Sequence, residues 1–200
     1  MGLYLENQKK MRIFATALAV SAQCPTNEIW YTTTDGAKVS TEKLGETVIA
    51  HTYQDGKGII RFDKPVTYIG NDAFYGCRNL QSIFLPDSVV NIGDMAFYHC
   101  LRLTTINIPN SVTEIGNWAF EGCKSLTSIT IPDSGTDLHA ETFKNCENLT
   151  SITCLATIPP IFWDVNIADD LIIYVPKKSV KRYKHAYGWS LHKRHIKPIK

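Results

Sequence analysis

A 23-residue unit recurs four times in this chain, as "YIGNDAFYGCRNLQSIFLPDSVV" from Tyr68, "NIGDMAFYHCLRLTTINIPNSVT" from Asn91, "EIGNWAFEGCKSLTSITIPDSGT" from Glu114 and "DLHAETFKNCENLTSITCLATIP" from Asp137. Its apolar columns hold in register: Ile69/Ile92/Ile115/Leu138, Phe74/Phe97/Phe120/Phe143, Leu80/Leu103/Leu126/Leu149, Ile83/Ile106/Ile129/Ile152 and Leu85/Ile108/Ile131/Cys154. One copy cannot bury its own apolar face, so the copies must stack and bury it against each other, which dictates a solenoid. Ile83-Phe84-Leu85 alternates inward, outward, inward as a short strand does, and Pro86, Pro109 and Pro132 then stop it. The stretch from Asp72 to Tyr75 spans about one helical turn and reads as a short or 3₁₀ helix. One period before Ile83, Leu85 and Val89 stand Ile60, Phe62 and Val66 in "GIIRFDKPV", which makes a first rung. At the other end "LIIYVP" sets Ile173, Val175 and Pro176 as a last rung, for about six stacked parallel strands.

The unit L-x-x-I-x-[IL]-P, then S-V, then I-G-x-x-A-F-x-x-C resembles the leucine-rich repeat of the BspA-like surface proteins of Bacteroides-type anaerobes. The resemblance runs from about Asn27 to Ile199 and takes in "NEIWYTTTDGAKV" and "YVPKKSVKRYKHAYGW", which such proteins carry as caps. It implies an α/β solenoid with a curved parallel sheet, no cofactor, no catalytic residues, and a role in surface binding or adhesion. The chain then divides into a signal peptide at 1–22, an N-terminal hairpin cap at 23–57, leucine-rich repeats at 58–160, and a last rung with a C-terminal helical cap at 161–200. Departures concentrate in the last full repeat, where Gly135, His139 and Thr142 replace the repeated Val, Gly and Ala, as terminal repeats commonly do.

Solenoid ends expose strand edges and apolar side chains that must be covered. Two Asp-Gly pairs, Asp35-Gly36 and Asp55-Gly56, lie between β-prone runs and predict two hairpins, the second pairing "TVIAHTY" with "GIIRF". Ser179 as N-cap, Val180, Tyr183 and Tyr187 at helical spacing and Gly188 as stop predict a helix over the last rung. Lys9, Lys10 and Arg12 before an apolar run from Ile13 to Val20, followed by "VSA", have the pattern of a signal peptide, so the protein is expected at the cell surface or secreted. Cys24 invites a lipid anchor, but Gln23 stands where a lipoprotein signal wants a small residue, which argues against it. No apolar run approaches the about 20 residues of a membrane span.

Charge is lopsided although the whole chain carries only +2. Residues 177–200 hold 9 Lys or Arg and no acid, leaving 12 basic against 19 acidic elsewhere, or −7. A basic end suits an anionic surface or polyanion, with Lys181, Lys184 and Lys193 as contacts, although the solvated face of a cap helix would look the same. No nucleic-acid module is recognisable, so that partner is not expected.

The pair His99-Cys100 invites a catalytic or zinc reading, which the repeat dissolves. Cys77, Cys100, Cys123 and Cys146 form one column whose members point the same way about 5 Å apart, a poor geometry for disulfides. No close-set ligand pair such as C-x₂-C exists, so no metal is assigned, and the thiols, with Cys154, read as buried fillers. His99 shares its column with Gly76, Gly122 and Asn145, residues that accept positive φ, so it ends the turn while Cys100 points inward.

Binding then falls to the outward strand positions. These are Arg61, Phe84, Asn107, Thr130, Thr153 and Tyr174 in one column, beside Ile59, Ser82, Thr105, Ser128, Ser151 and Ile172. Phe84 beside Arg61 has the composition of an interface hot spot, against the reading of a scattered surface Phe. Tyr75, Tyr98 and Trp118 near the turns form a second surface, or pack between rungs. The sequence thus points to a non-enzymatic module that binds a protein, glycoprotein or glycan ligand. The alternative is a polyanion or membrane-surface binder acting through the basic end.

Overall fold

The structure, a computed structural model, describes residues 24–163, 168 and 170–199. The proposed signal peptide lies outside these residues. Strands β1 (Glu28–Thr33), β2 (Val48–Gln54) and β3 (Lys57–Phe62) begin the chain. Each repeat then contributes two strands. One series is β4 (Tyr68–Ile69), β6 (Asn91–Ile92), β8 (Glu114–Ile115) and β10 (Asp137–Leu138). The other is β5 (Leu80–Phe84), β7 (Thr105–Ile106), β9 (Ser128–Ile131) and β11 (Ser151–Cys154). The chain ends with β12 (Ile172–Val175), a four-residue helix α1 (Val180–Tyr183) and β13 (Ile196–Pro198).

Repeat strands pair in parallel at equivalent positions, Ser151 with Ser128 and Ile152 with Ile129, and β4, β6, β8 and β10 form a second parallel ladder. The columns read from sequence are therefore stacked columns in space. Phe74, Phe97, Phe120 and Phe143 are buried and stack with centroids 5.2, 5.2 and 5.8 Å apart, close to the strand spacing that sets the rung height.

The expected helical turns are not helices, and the only α-helix among the described residues is α1. In the turn before each strand, alternate amides leave the rung and donate to the next one. Asp72, Phe74 and Gly76 N–H reach the carbonyls of Asp94, Ala96 and Tyr98 at 3.0, 2.8 and 2.8 Å, and the pattern repeats one rung on. An α-helix would direct these amides along its own axis. Two residues per turn take positive φ to allow it: Asp72, Met95, Trp118 and Glu141 at the first position, and Gly76, His99, Gly122 and Asn145 at the second.

Polar columns complete the seams. Asn71 Oδ1 accepts from Asp94 N–H at 2.9 Å, and Asp94 Oδ1 accepts from Asn117 N–H at 2.7 Å. Ser88 and Ser134 hydroxyls each donate to a valine carbonyl of the preceding rung, Val66 and Val112, at 2.7 Å. Gly93 and Gly116 sit where these seams are tightest. A Cβ on Gly116 would stand 2.5 Å from Asp94 Oδ1 and 2.6 Å from its backbone nitrogen.

The N-terminal cap differs from the expectation in one respect. Asp55-Gly56, with φ of 49° and 77°, turns the β2–β3 hairpin as anticipated. Asp35-Gly36 makes no hairpin. Asp35 accepts from Ala37 N–H and from the Asn79 carboxamide, which ties that turn to the first repeat. Strand β1 instead inserts antiparallel between β3 and β5, so the strand of the first rung does not pair with the repeat ladder directly. Ile29 and Tyr31, both fully buried, explain the choice: a strand with one apolar edge lies best across the open end of the core.

The C-terminal cap is also less helical than its spacing suggested. Ser179 does not cap α1; its hydroxyl donates to Thr157 O at 2.8 Å, extending the serine column by another rung. Tyr183 and Trp189 are the buried anchors, donating to Ala156 O and Pro160 O, while Tyr187 lies 74% exposed. Gly188 does end this segment, at φ 76°, against Phe162. Strand β13, unanticipated, pairs Ile196 with Ile173 one full period away and makes a further rung. A Gly116→Ala substitution should lower the free energy of urea unfolding by about 1–3 kcal/mol through overpacking of the Asp94 seam; an unchanged midpoint would contradict the seam.

Candidate functional site

The outward strand column is built by three structural units. On β9, β11 and β12, Thr130, Thr153 and Tyr174 stand side by side in register, with Lys197 of β13 beyond Tyr174. Ser128, Ser151 and Ile172 form the parallel row. None of the five hydroxyls on Ser128, Thr130, Ser151, Thr153 and Tyr174 has a hydrogen-bond partner among the described residues, and all five residues are half-buried. The hydroxyls of Ser88, Thr104, Ser125, Ser134 and Thr150, by contrast, are each bonded to a carbonyl of the neighbouring rung.

Asn107 joins the face in position but not in chemistry. Its carboxamide accepts from Leu85 N–H at 2.7 Å and donates to Leu85 O at 2.9 Å, taking the place of ladder bonds beside β7.

At the N-terminal end the inserted β1 separates Arg61 from Phe84. Trp30 lies opposite both Ile59 and Phe84, and Glu28 lies opposite Arg61, so Phe84 shares a row with Ile59 rather than with the arginine. The Arg61 guanidinium donates from Nε and Nη2 to Glu28 Oε1 at 2.8 and 2.7 Å, and Trp30 Nε1 donates to Glu28 Oε2 at 2.7 Å. Such forked contact holds a nearly buried carboxylate by charge-assisted bonds. The expected Phe84–Arg61 pair is thus replaced by a Phe84–Trp30 pair and an Arg61–Glu28 pair. Sequence reading assigned "EIWYTT" to a cap and so missed Glu28 and Trp30, although the same alternation, with Ile29 and Tyr31 inward, puts both on this face.

The thiol column is more than filler. Cys100, Cys123 and Cys146 each donate S–H to a phenylalanine carbonyl of the preceding rung, Phe74, Phe97 and Phe120, at 3.2, 3.2 and 3.0 Å. Burial pushes the Cys100 and Cys123 thiols well above the ordinary thiol range, and burial raises Cys154 as well. Protonated thiols are poor nucleophiles and poor metal ligands. All six cysteines are free. His99, at φ 54°, lays its ring on Tyr98 with centroids 4.3 Å apart and over Gly122, where a Cβ would meet the ring at 2.4 Å. It therefore packs against the outside of the turn while Cys100 is buried beneath, and the two do not pair.

Tyr75 and Tyr98 stack at 5.0 Å, with Lys43 over the Tyr75 ring, and Trp118 Nε1 donates to Glu141. These side chains bond from rung to rung, as the packing alternative held. Among the described residues no group of three or more His, Cys, Asp or Glu side chains is placed to hold a metal, and no helix is long and apolar enough to cross a membrane.

Stacked 23-residue rungs, parallel ladders and inward Leu/Ile/Phe columns define a leucine-rich-repeat solenoid. The family model for the BspA-type leucine-rich repeat region matches residues 55–162 in six copies, and the chain belongs to that family, one of bacterial surface proteins. Among solved structures, it is similar to a leucine-rich repeat protein of T. pallidum, with 26% identity and TM-score 0.54 over 69% of this chain and 64% of that one. The pneumococcal vaccine antigen PcpA shares the fold at 17% identity and TM-score 0.51, over 68% of this chain and 38% of its own. The chain thus spans less than two thirds of either structure. No curated protein sequence matched the chain.

Native protein at mildly alkaline pH should leave Cys100, Cys123 and Cys154 unlabelled by a thiol reagent, with all three labelled once urea is added, as mass spectrometry of the peptides would read. Labelling of Cys100 in the native state would contradict a buried, hydrogen-bonded column.

Proposed function

We propose that this protein is a non-enzymatic binding module of the cell surface or of secreted material, whose exposed strand face recognises a protein or glycan. The observation that carries the reading is the hydroxyl array of Ser128, Thr130, Ser151, Thr153 and Tyr174. Where hydroxyls such as those of Thr104, Ser134 and Thr150 tie rungs together, this set makes no bond among the described residues. Strand geometry spaces the hydroxyls about 4.8 Å across strands and about 6.6 Å along them. A rigid array of donors and acceptors of this kind suits a ligand rich in hydroxyls or backbone amides, and extended sheets are the surface solenoids offer to partners. Tyr174 supplies an aromatic ring at one end, and half-buried Phe84 supplies another. Membership of a surface-protein family supports placement outside the cell.

The test is solid-phase binding to a panel of extracellular-matrix glycoproteins and purified polysaccharides, comparing wild type with Thr153→Arg, Tyr174→Ala and Phe84→Ala. Thr153→Arg should weaken binding to any captured ligand by at least about tenfold, the loss of one or more buried contacts. Tyr174→Ala should follow it, with Phe84→Ala smaller. Equal binding by Thr153→Arg and wild type would remove the strand face from the account.

A further inference from the structure

The C-terminal end of the solenoid is chemically unlike the rest of its surface. Nine large apolar side chains are exposed among the described residues, and five of them, Ile158, Ile161, Trp163, Tyr187 and Leu191, belong to this end. Trp163 and Tyr187 are in direct contact, and the other three lie near them in the chain. Phe162 bridges to Leu138 at the end of the second ladder, with Ile161 and Trp163 on either side, and Phe162 stacks on buried Trp189 at 4.4 Å. Trp163 meets Tyr187 edge to face at 5.6 Å, and Leu191 follows Trp189 by two residues on the same short helical turn. The C-terminal cap thus exposes aromatic and aliphatic groups of a kind that water solvates poorly.

Cations lie close to them in the chain. Lys184 precedes Tyr187 by three residues, Lys193 follows Leu191 by two, and Lys181 lies on α1; none of these lysines forms an ion pair with a described residue. Arg194 and Lys197 line a pocket with Asp170. Residues 161–200 carry 9 basic and 3 acidic side chains, or +6.

We propose that this end docks on an anionic phospholipid bilayer, with Trp163, Tyr187 and Leu191 entering the interface and Lys181, Lys184 and Lys193 meeting lipid phosphates. Charge complementarity selects an anionic surface. The apolar group selects a bilayer over a soluble polyanion, because a polysaccharide gives buried Trp and Leu nothing to enter, whereas the interfacial zone accommodates aromatic and aliphatic side chains beside Lys.

Co-sedimentation of the full chain with vesicles tests this, using equimolar phosphatidylcholine and phosphatidylglycerol against phosphatidylcholine alone. Wild type should sediment with the anionic vesicles only. The triple variant Trp163→Ala, Tyr187→Ala, Leu191→Ala should lower partitioning by at least about tenfold, and Lys181→Gln, Lys184→Gln, Lys193→Gln should do the same while weakening its salt dependence. Urea midpoints matching wild type establish that both variants fold. Trp163→Phe should retain binding but lose most of the tryptophan quenching by brominated lipid, a readout that needs no loss of affinity. Absence of sedimentation, sedimentation untouched by the apolar triple, or an apolar triple that instead dissolves a self-associated dimer would each overturn the proposal.

Discussion

Everything in this molecule depends on the registry of one rung upon the next. The second rung presents at each height the same kind of group as the first, so one geometric relation repeated at the strand spacing satisfies several kinds of contact at once. Phenylalanine stacks on phenylalanine, thiol donates to a phenylalanine carbonyl, serine to a valine carbonyl, and asparagine or aspartate accepts from the following turn. A single bond of this kind contributes about 1 kcal/mol net. Its worth lies in being repeated, since slipping one rung by a residue would break every column together.

The constraint explains the conformational cost accepted in the turns. Met95, Trp118 and Glu141 take φ of 52°, 54° and 55°, a region that costs a non-glycine residue about 1–2 kcal/mol. Only in that conformation do Met95 and Trp118 donate across the rung, to Asn117 O and Ala140 O. The glycine column answers the same demand differently, because Gly93 and Gly116 keep ordinary φ and are required by close approach alone.

How much of this was legible in the sequence follows from what a periodic pattern can carry. The inward columns, the parallel stack, the thiol column and the β2–β3 hairpin were readable because each repeats an identity or has a dipeptide signature. The first positive-φ position was not, because its column, Asp72, Met95, Trp118, Glu141, has no common chemistry and is defined by backbone alone. Strand β1 was misplaced because hairpin signals report the turn and not the partner, and its insertion separated Arg61 from Phe84. Strand β13 escaped because only Ile196 keeps the 23-residue interval to Ile173. At the candidate site, position was legible and availability was not. Asn107 and Arg61 face outward as expected, yet both are engaged within the protein, while the hydroxyls of Ser128, Thr130, Ser151 and Thr153 make no bond among the described residues.

Native-state hydrogen exchange tests the cross-rung registry most directly, because alternate turn amides, those of the phenylalanine column among them, bond only to the next rung. The account predicts that the Phe74, Phe97 and Phe120 amides are protected on the same scale as the strand amides of Ile129 and Ile152 and lose protection together with them in denaturant. Exchange of the Phe97 amide at the rate of an exposed turn, while the strands stay protected, would contradict it.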